Sequence, residues 1–466
     1  MPAKSGRPFE IVVVGQGAAG LAAALSAVEE ARSQALAVAV TLTDRASADE
    51  AGGNTRWTPA YMRMAAPDRV ESHFVQDMLA ATQSRGDKVY FSRLAQDAPA
   101  TVAWIAAHGV AFHQPTYYLA KGPPRIQPVG GGASIFRELT RSAEAAGVRV
   151  RHGCGAEGLV EEDGAIRGVR VARGEIIAAD AVVLACGGFQ ANRTMMREHF
   201  GPGGEVIPLL APSARFNTGD GIAMARALGA DIAGEWNGMH TEPIDPRSKG
   251  SAPVVLLYPY GIVVDRNGRR FFDEGAGLVH ETWEWLSRHI HFSVEGREAY
   301  AVLDSRLFAI AEWQRATRSE VPPFQSDTLD GLARLIGVDA AGLTTTVAAY
   351  NAACTGDVER FDATRCDGLA SDIRLAPPKS NWARAINEPP FLAWPLIGAV
   401  AYTFGGLATD ARARVLRACK PIPGLYAAGE ITGHFYATAP NAVSVLRAFV
   451  FGRIAGREAV AAAPRP

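Results

Sequence analysis

The sequence predicts an α/β fold: a parallel sheet with a β-meander, interrupted by an inserted α+β domain. Three observations predict it. The stretch Ile11-Val-Val-Val-Gly-Gln-Gly-Ala-Ala-Gly20 runs an apolar strand into Gly15-x-Gly17-x-x-Gly20 and on into an alanine-rich helical pattern. A second apolar strand, residues 36–43, ends in Asp44. From residue 235 to residue 388 tryptophan, histidine and arginine concentrate, after which 427–430 and 443–459 return to the strand–glycine–helix style of the start. Strands alternating with helices argue for a parallel sheet covered on both faces. A chain of 466 residues also exceeds what one simple core holds.

Gly15 permits the tight strand-to-helix turn, Gly17 lets backbone approach a pyrophosphate, and Gly20 lets helix and strand pack closely. The first-turn N–H groups near Ala18 and Ala19 are free to meet phosphate charge, and Asp44, next to Arg45, stands where an acid accepts from ribose hydroxyls. Residues 89–110 read as a helix, and 115–128 as a loop carrying Lys121 and Arg125. Gly130-Gly-Gly132 leads into a helix near 135–145. Residues 148–152, 158–162 and 166–172 read as short strands of a meander. Ala181-Val-Val-Leu-Ala-Cys-Gly-Gly188 is a buried-type strand ending in Gly187 and Gly188. In the insert, helical patterns fall at 280–290, 305–316 and 328–352, and residues 461–466 read as a frayed tail.

Hydrophobic residues at 48% and charged residues at 20% describe a soluble globular protein, and a net charge of −1 gives no general affinity for nucleic acid. The five cysteines form no CxxC pair, which leaves haem attachment, a zinc knuckle or any other metal site unsupported and favours a reducing, cytoplasmic setting. No apolar run is long enough for a membrane span.

Three further segments turn a dinucleotide site into a flavin site. Ala51-Gly-Gly-Asn-Thr55, with Gly52, Gly53 and Asn54, is a polar glycine loop suited to wrapping an isoalloxazine. Leu425-Tyr-Ala-Ala-Gly-Glu430 is a strand ending in Gly429 and Glu430, suited to a ribityl chain. Near Ser444 and Val445 a helix begins, whose N–H groups suit the electron-rich pyrimidine edge of a reduced flavin.

With these motifs the chain resembles the fumarate reductase/succinate dehydrogenase flavoprotein family. The likeness also rests on Thr218-Gly-Asp-Gly221 (Thr218, Gly219 and Asp220), Gly268-Arg-Arg-Phe-Phe-Asp-Glu274, Thr403-Phe-Gly-Gly-Leu407 and Phe451-Gly-Arg453. Tyr258-Pro-Tyr-Gly-Ile262, Gly433-His-Phe-Tyr436 and Ser444-Val-Leu446 are most similar to the branch containing tricarballylate dehydrogenase. The resemblance implies a Rossmann-like FAD-binding domain from 1–234 and 389–466, with an α+β capping domain from 235–388. It implies hydride transfer between flavin N5 and a carbon next to a carboxylate. It places Arg270 as the residue that moves the proton. A guanidinium is otherwise always charged, so a carboxylate clamp or a cap salt bridge to Asp273 or Glu274 are the other roles open to it. His240, in Met239-His-Thr-Glu-Pro243, matches a histidine that holds a substrate carboxylate; Tyr402 stands in place of another, with His434 as a compensating group. Tyr436 and Arg447 are lesser candidates.

Two departures narrow the substrate. The C-terminal carboxylate-binding arginine has no match in Thr438-Ala-Pro-Asn-Ala-Val-Ser444, and Val254-Val-Leu-Leu-Tyr-Pro259 replaces a substrate-loop Thr-Glu pair. The loop 51–55 holds no histidine, so FAD is expected to be non-covalent. The leading expectation is an FAD-dependent dehydrogenase of a tricarballylate-like carboxylic acid that passes electrons to a separate carrier. One alternative is a 3-ketosteroid-like enone enzyme, with Tyr117, Tyr118, Tyr258, Tyr260, Tyr402 and Tyr436 as acids and apolar walls. The other is a non-catalytic flavoprotein partner.

Overall fold

The computed structural model describes residues 7–115, 119 and 121–463. Tyr117, Tyr118 and the last three residues of the expected tail lie outside the described residues. The principal sheet has six strands in the order Arg414–Arg417, Lys420–Ala427, Ala181–Leu184, Phe9–Val14, Val38–Thr43 and Arg149–Arg151. All its neighbours pair in parallel except the first two, which form an antiparallel ribbon at one edge.

The strands are apolar throughout because both faces are covered. Ile11 and Val13 pack into one core and Val12 and Val14 into another, and Val183 parts from Val182 and Leu184 in the same way. On the first face lie helices Ala18–Ser33 and Ser444–Ala461. They approach closely because Gly452 and Gly456 face Ala19 and Ala23: a Cβ at either glycine would lie 2.4 or 2.2 Å from a carbonyl oxygen of the facing helix. On the second face lies the meander Ala156–Glu162, Ala165–Val171 and Ile176–Ala178. The expected strand at 148–152 is therefore not part of the meander. Its core, Arg149–Arg151, extends the parallel sheet beside Val38–Thr43.

The insert builds a second, antiparallel sheet in the order Met239–Ile244, Phe391–Thr403, Ala299–Leu303, Ile262–Val264, with Phe324–Ser326 added against Phe391–Ala393. The 13-residue strand Phe391–Thr403 starts beyond position 388 yet pairs on both sides within this sheet, so it joins the two halves of the molecule. Alternation again buries both faces, with Ala301 and Trp394 on one and Val302 and Ala393 on the other. Helix Val279–Ser293 covers Met239–Ile244 and Phe391–Thr403.

Two expected helices differ. Residues 305–316 form two short 3₁₀ turns, Ser305–Ala309 and Trp313–Ala316, separated where Glu312 takes φ 57°. The pattern 328–352 is split into Leu329–Ile336 and Ala340–Ala353 by Gly337 at φ 71°, after which the Asp339 carboxylate caps the second helix. Among the described residues no helix is long and apolar enough to cross a membrane.

Candidate active site

A cavity of about 630 Å³ opens at the carboxyl ends of the parallel strands, where Val14, Thr43 and Ala185 reach its wall. This is the place where open α/β sheets bind ligands. From the predicted cofactor residues, Gly15, Gly17, Ala18, Ala19, Asp44, Arg45, Gly53, Asn54, Thr55 and Gly187 line it. So do Thr218, Asp220, Gly429, Glu430, Ser444 and Val445.

A cradle for a dinucleotide is visible in the backbone. At Gly17 an added Cβ would meet only the Thr55 hydroxyl, at 3.6 Å, and at Gly53 only the Gly17 Cα, at 4.0 Å; these two turns face each other across open space that side chains would fill. The Thr55 hydroxyl also accepts from Ala18 N–H at 2.9 Å, which ties the glycine loop to the start of the first helix. Asp44 accepts from Gln16 N–H at 2.7 Å and Ala46 N–H at 2.8 Å, holding its carboxylate at the cavity wall. Arg45 donates to Thr218 at 2.8 Å and pairs with Asp220. Asn54 leaves a buried carbonyl oxygen without a hydrogen-bond donor, an acceptor oriented for a bound group. Helix Ser444–Ala461 begins without a side-chain cap, so its first N–H groups remain for a ligand. These residues fit FAD, whose phosphates, ribose and ring need the groups just described.

Glu430, half-buried at the cavity wall, accepts from Thr403 N–H at 3.2 Å, Asn54 at 3.3 Å and Asn217 at 3.4 Å. Burial pushes its pKa up to about 7 against those hydrogen bonds. Four predicted cofactor glycines do not reach the cavity and act in packing instead. Gly20 abuts the Gly15 carbonyl, Gly52 turns at φ 115° beside Arg56, Gly188 makes room for Glu430, and Gly219 caps the helix Asp220–Ala227 beside Met195.

The predicted catalytic residues divide. His240 and Tyr402 face each other across the antiparallel pairing and both line the cavity, their rings stacked at 4.9 Å. His240 lies between two carboxylates, Glu284 at 2.8 Å and Glu242 at 3.3 Å. Burial pulls its pKa down, but the hydrogen bonds and charge of the two carboxylates outweigh this and hold it up at about 9. Burial pushes the Tyr402 phenol well above its ordinary value, so it stays protonated.

Arg270 and His434 stand apart from that pair, as neither lines the cavity. The Arg270 guanidinium is buried in the cap, where it grips Glu274 through Nε at 3.1 Å and Nη2 at 2.5 Å and donates to the Pro377 carbonyl at 2.7 Å. The cap salt bridge is the role the geometry fulfils. His434 is stacked on Tyr90 at 3.6 Å and bonded to the Thr409 hydroxyl at 2.9 Å. Burial, with Arg447 nearby, pushes it down to about 3, so the ring is neutral. Tyr258, Tyr260 and Tyr436 also lie off the cavity, their hydroxyls bonded to Thr282, the Ala363 carbonyl and Gly234 N–H. The enone reading keeps only Tyr402 of its described tyrosines.

Sequence reasoning missed a group of cations. Arg63, Arg125 and Arg318 all line the cavity, and the last two place their guanidinium groups 3.7 and 5.8 Å from the Tyr61 ring. Their residues come from three separate segments with no shared motif. His280 lines the same region, and burial together with Arg125 and Arg63 pushes its pKa down to about 4. Arg447 also reaches the cavity, buried against Phe435 and donating to the Thr432 carbonyl at 3.2 Å. Among the described residues no cluster of histidine, cysteine and carboxylate forms a metal site.

The model of the FAD binding domain family matches residues 10–443. The chain is 28% identical to a fumarate reductase (cytochrome) of Shewanella frigidimarina, over 97% of this chain and 76% of that protein. It is also 28% identical to a urocanate reductase of Eggerthella lenta, over 97% and 75%. The open conformation of a flavocytochrome c3 fumarate reductase superposes with a TM-score of 0.77 at 24% identity, covering 99% of this chain and 79% of that one.

Proposed function

The chain belongs to the FAD binding domain family and is an FAD-dependent oxidoreductase acting on CH–CH groups, and from that premise we propose that its substrate is a carboxylic acid oxidised or reduced at the bond next to its carboxylate. The observation that carries this reading is the convergence of Arg63, Arg125 and Arg318 on the cavity that Gly53, Asn54 and Ser444 also line. Arginine is suited to planar, bidentate recognition of a carboxylate, and a long apolar slot for a ketone would not be lined by three of them. FAD, when bound, supplies the two-electron redox couple.

The chain's own residues then divide the work. Arg63, Arg125 and Arg318 orient the acid and draw electron density from the adjacent carbon. Tyr402 and His240 handle the proton. The Tyr402 hydroxyl is kept protonated by burial, and the His240 imidazolium stacked on it holds a second proton between Glu284 and Glu242. Glu242 is the more exposed of these carboxylates, 19% against 7%, and so leads toward solvent. Helix residue Trp283, buried, adds apolar surface to the same cavity wall. FAD is held non-covalently, a reading supported by a glycine loop, 51–55, without histidine or cysteine. A separate carrier exchanges electrons with it.

The test is anaerobic. Dithionite-reduced holoenzyme is mixed with fumarate, acrylate, crotonate and urocanate, and oxidised holoenzyme with tricarballylate and succinate. Reoxidation or bleaching of the flavin band by at least one acid is the expected result. A flavin inert to every acid but responsive to a steroid enone overturns the reading.

A further inference from the structure

Three charged side chains in the cavity wall do not fit a ligand that is anionic at both ends. Of the residues that helix Val279–Ser293 presents to the cavity (His280, Glu281, Trp283, Glu284 and Trp285), His280 and Glu284 share one face and are separated by one turn. Residues four apart on a helix are about 5–6 Å apart at Cβ, so this helix acts as a ruler along the wall. Beside His280, burial and the charges of Arg125 and Arg63 disfavour protonation of the ring, the Arg63 guanidinium being at the same time paired with Asp77 and Glu71. Beside Glu284 the sign reverses. His240 contributes one positive charge, Glu284 and Glu242 contribute two negative ones, and both carboxylates lie within hydrogen-bond reach of the same imidazole. The cluster therefore keeps a net charge of −1 in a largely desolvated place, with the His240, Glu242 and Glu284 side chains only 12%, 19% and 7% exposed. A buried excess charge is costly unless a partner of opposite sign or a donor meets it.

We propose, building on the carboxylic-acid reading above, that the substrate is bipolar: its carboxylate lies at the Arg63–Arg125–Arg318 end and a cationic or hydrogen-bond-donating group lies against Glu242 and Glu284. His240 is then not a carboxylate clamp. Besides holding its proton beside Tyr402, it bonds both carboxylates and so fixes them together at this end. A second carboxylate at this end meets two carboxylates against one imidazolium, which weighs against fumarate and tricarballylate as best ligands; Arg447, a cavity-lining cation whose charge reaches Tyr402, would favour them instead. The ruler sets the size: about one helical turn between the poles suits a short chain of four to six carbons.

The experiment titrates oxidised holoenzyme with three enoic acids of similar length and follows the perturbation of the bound flavin spectrum. The probes are (E)-4-aminocrotonate, crotonate and fumarate, whose distal ends are cationic, neutral and anionic. Wild type is expected to bind 4-aminocrotonate at least about tenfold more tightly than fumarate, the scale of one favourable charge contact. Glu242→Gln should narrow that ratio about tenfold, through weaker 4-aminocrotonate and tighter fumarate binding, and leave crotonate within about twofold. Glu284→Gln serves as the second variant if Glu242→Gln fails to retain FAD. Fumarate binding as tightly as 4-aminocrotonate in wild type, or a ratio unmoved in the variant, overturns the bipolar substrate and leaves the carboxylic-acid reading standing. Failure of all three acids to perturb the flavin overturns both.

Discussion

Arg270 is the residue for which motif and structure disagree most, and its removal separates the two. The side chain is 2% exposed and its partner Glu274 is fully buried, with a second tie from Glu274 to Val263 N–H at 2.7 Å. Arg270→Met leaves an uncompensated carboxylate in the cap interior, a change that costs about 3–5 kcal/mol. For a cooperative unit the size of the cap this is a fall in Tm of about 10 °C. Arg270→Met/Glu274→Met removes both charges and should recover most of that loss, because paired replacement of a buried ion pair by apolar groups is near neutral. The assay is a thermal melt of each holoenzyme beside the rate of flavin reoxidation per bound FAD at 20 °C below its Tm. Structural duty predicts a destabilised single variant, a recovered double variant, and per-flavin rates within about threefold of wild type, since neither residue touches the cavity. A double variant with normal Tm whose rate has fallen by a hundredfold or more would refute the reasoning and restore Arg270 to the chemistry.

Three other outcomes are expected. His240 has a folded pKa of about 9 against an ordinary 6.5, so the stability it contributes is fully present below about pH 6.5 and lost as pH rises through about 9; the Tm deficit of His240→Gln should be large at pH 6 and small at pH 10, and turnover should fall above pH 9, on a limb that Glu284→Gln moves to lower pH. Lys379 is buried, burial holds its pKa down at about 8 with Arg270 adding to the effect, and its charged form therefore costs stability below that pH; Lys379→Met should gain more Tm at pH 7 than at pH 10, measured against wild type at each pH. Gly452→Ala places a Cβ 2.4 Å from the Ala19 carbonyl, forcing the two helices apart at a cost of about 2 kcal/mol or more, read as lower FAD retention and lower Tm.

The nucleotide-binding half was legible because its signals are local. Strand, turn and helix from Ile11 to Gly20 are contiguous, and the continuous apolar character of Val12 and Val13 already says that both faces of the strand are covered. The strand at 149–151 joins the parallel sheet and not the meander because a short apolar run does not name its neighbour. Residues 149–151 satisfy an edge of the parallel sheet as well as they would a hairpin, and only the register with Thr41 to Thr43 decides. The helix expected at 305–316 failed for a different reason: spacing counts apolar residues but does not register that Glu312 leaves helical φ.

The site divides along the same physical line. A glycine that must sit near phosphate is marked by its own identity, whereas a charge acquires its role only from what stands beside it. Arg270 carries the family motif, yet it pairs with Glu274 four residues on and stays off the cavity, while Arg63 (itself paired with Asp77 and Glu71), Arg125 and Arg318 carry no motif and line the cavity. His240 shows the same rule with the sign reversed. Taken alone it is a cation suited to a carboxylate. Counted with Glu242, its neighbour on the strand, and Glu284, brought in by a helix some forty positions later, it becomes part of a negative pole. On the bipolar proposal, substrate sign in this cavity is set by pairings across elements, and the ratio of 4-aminocrotonate to fumarate affinity measures that sign directly.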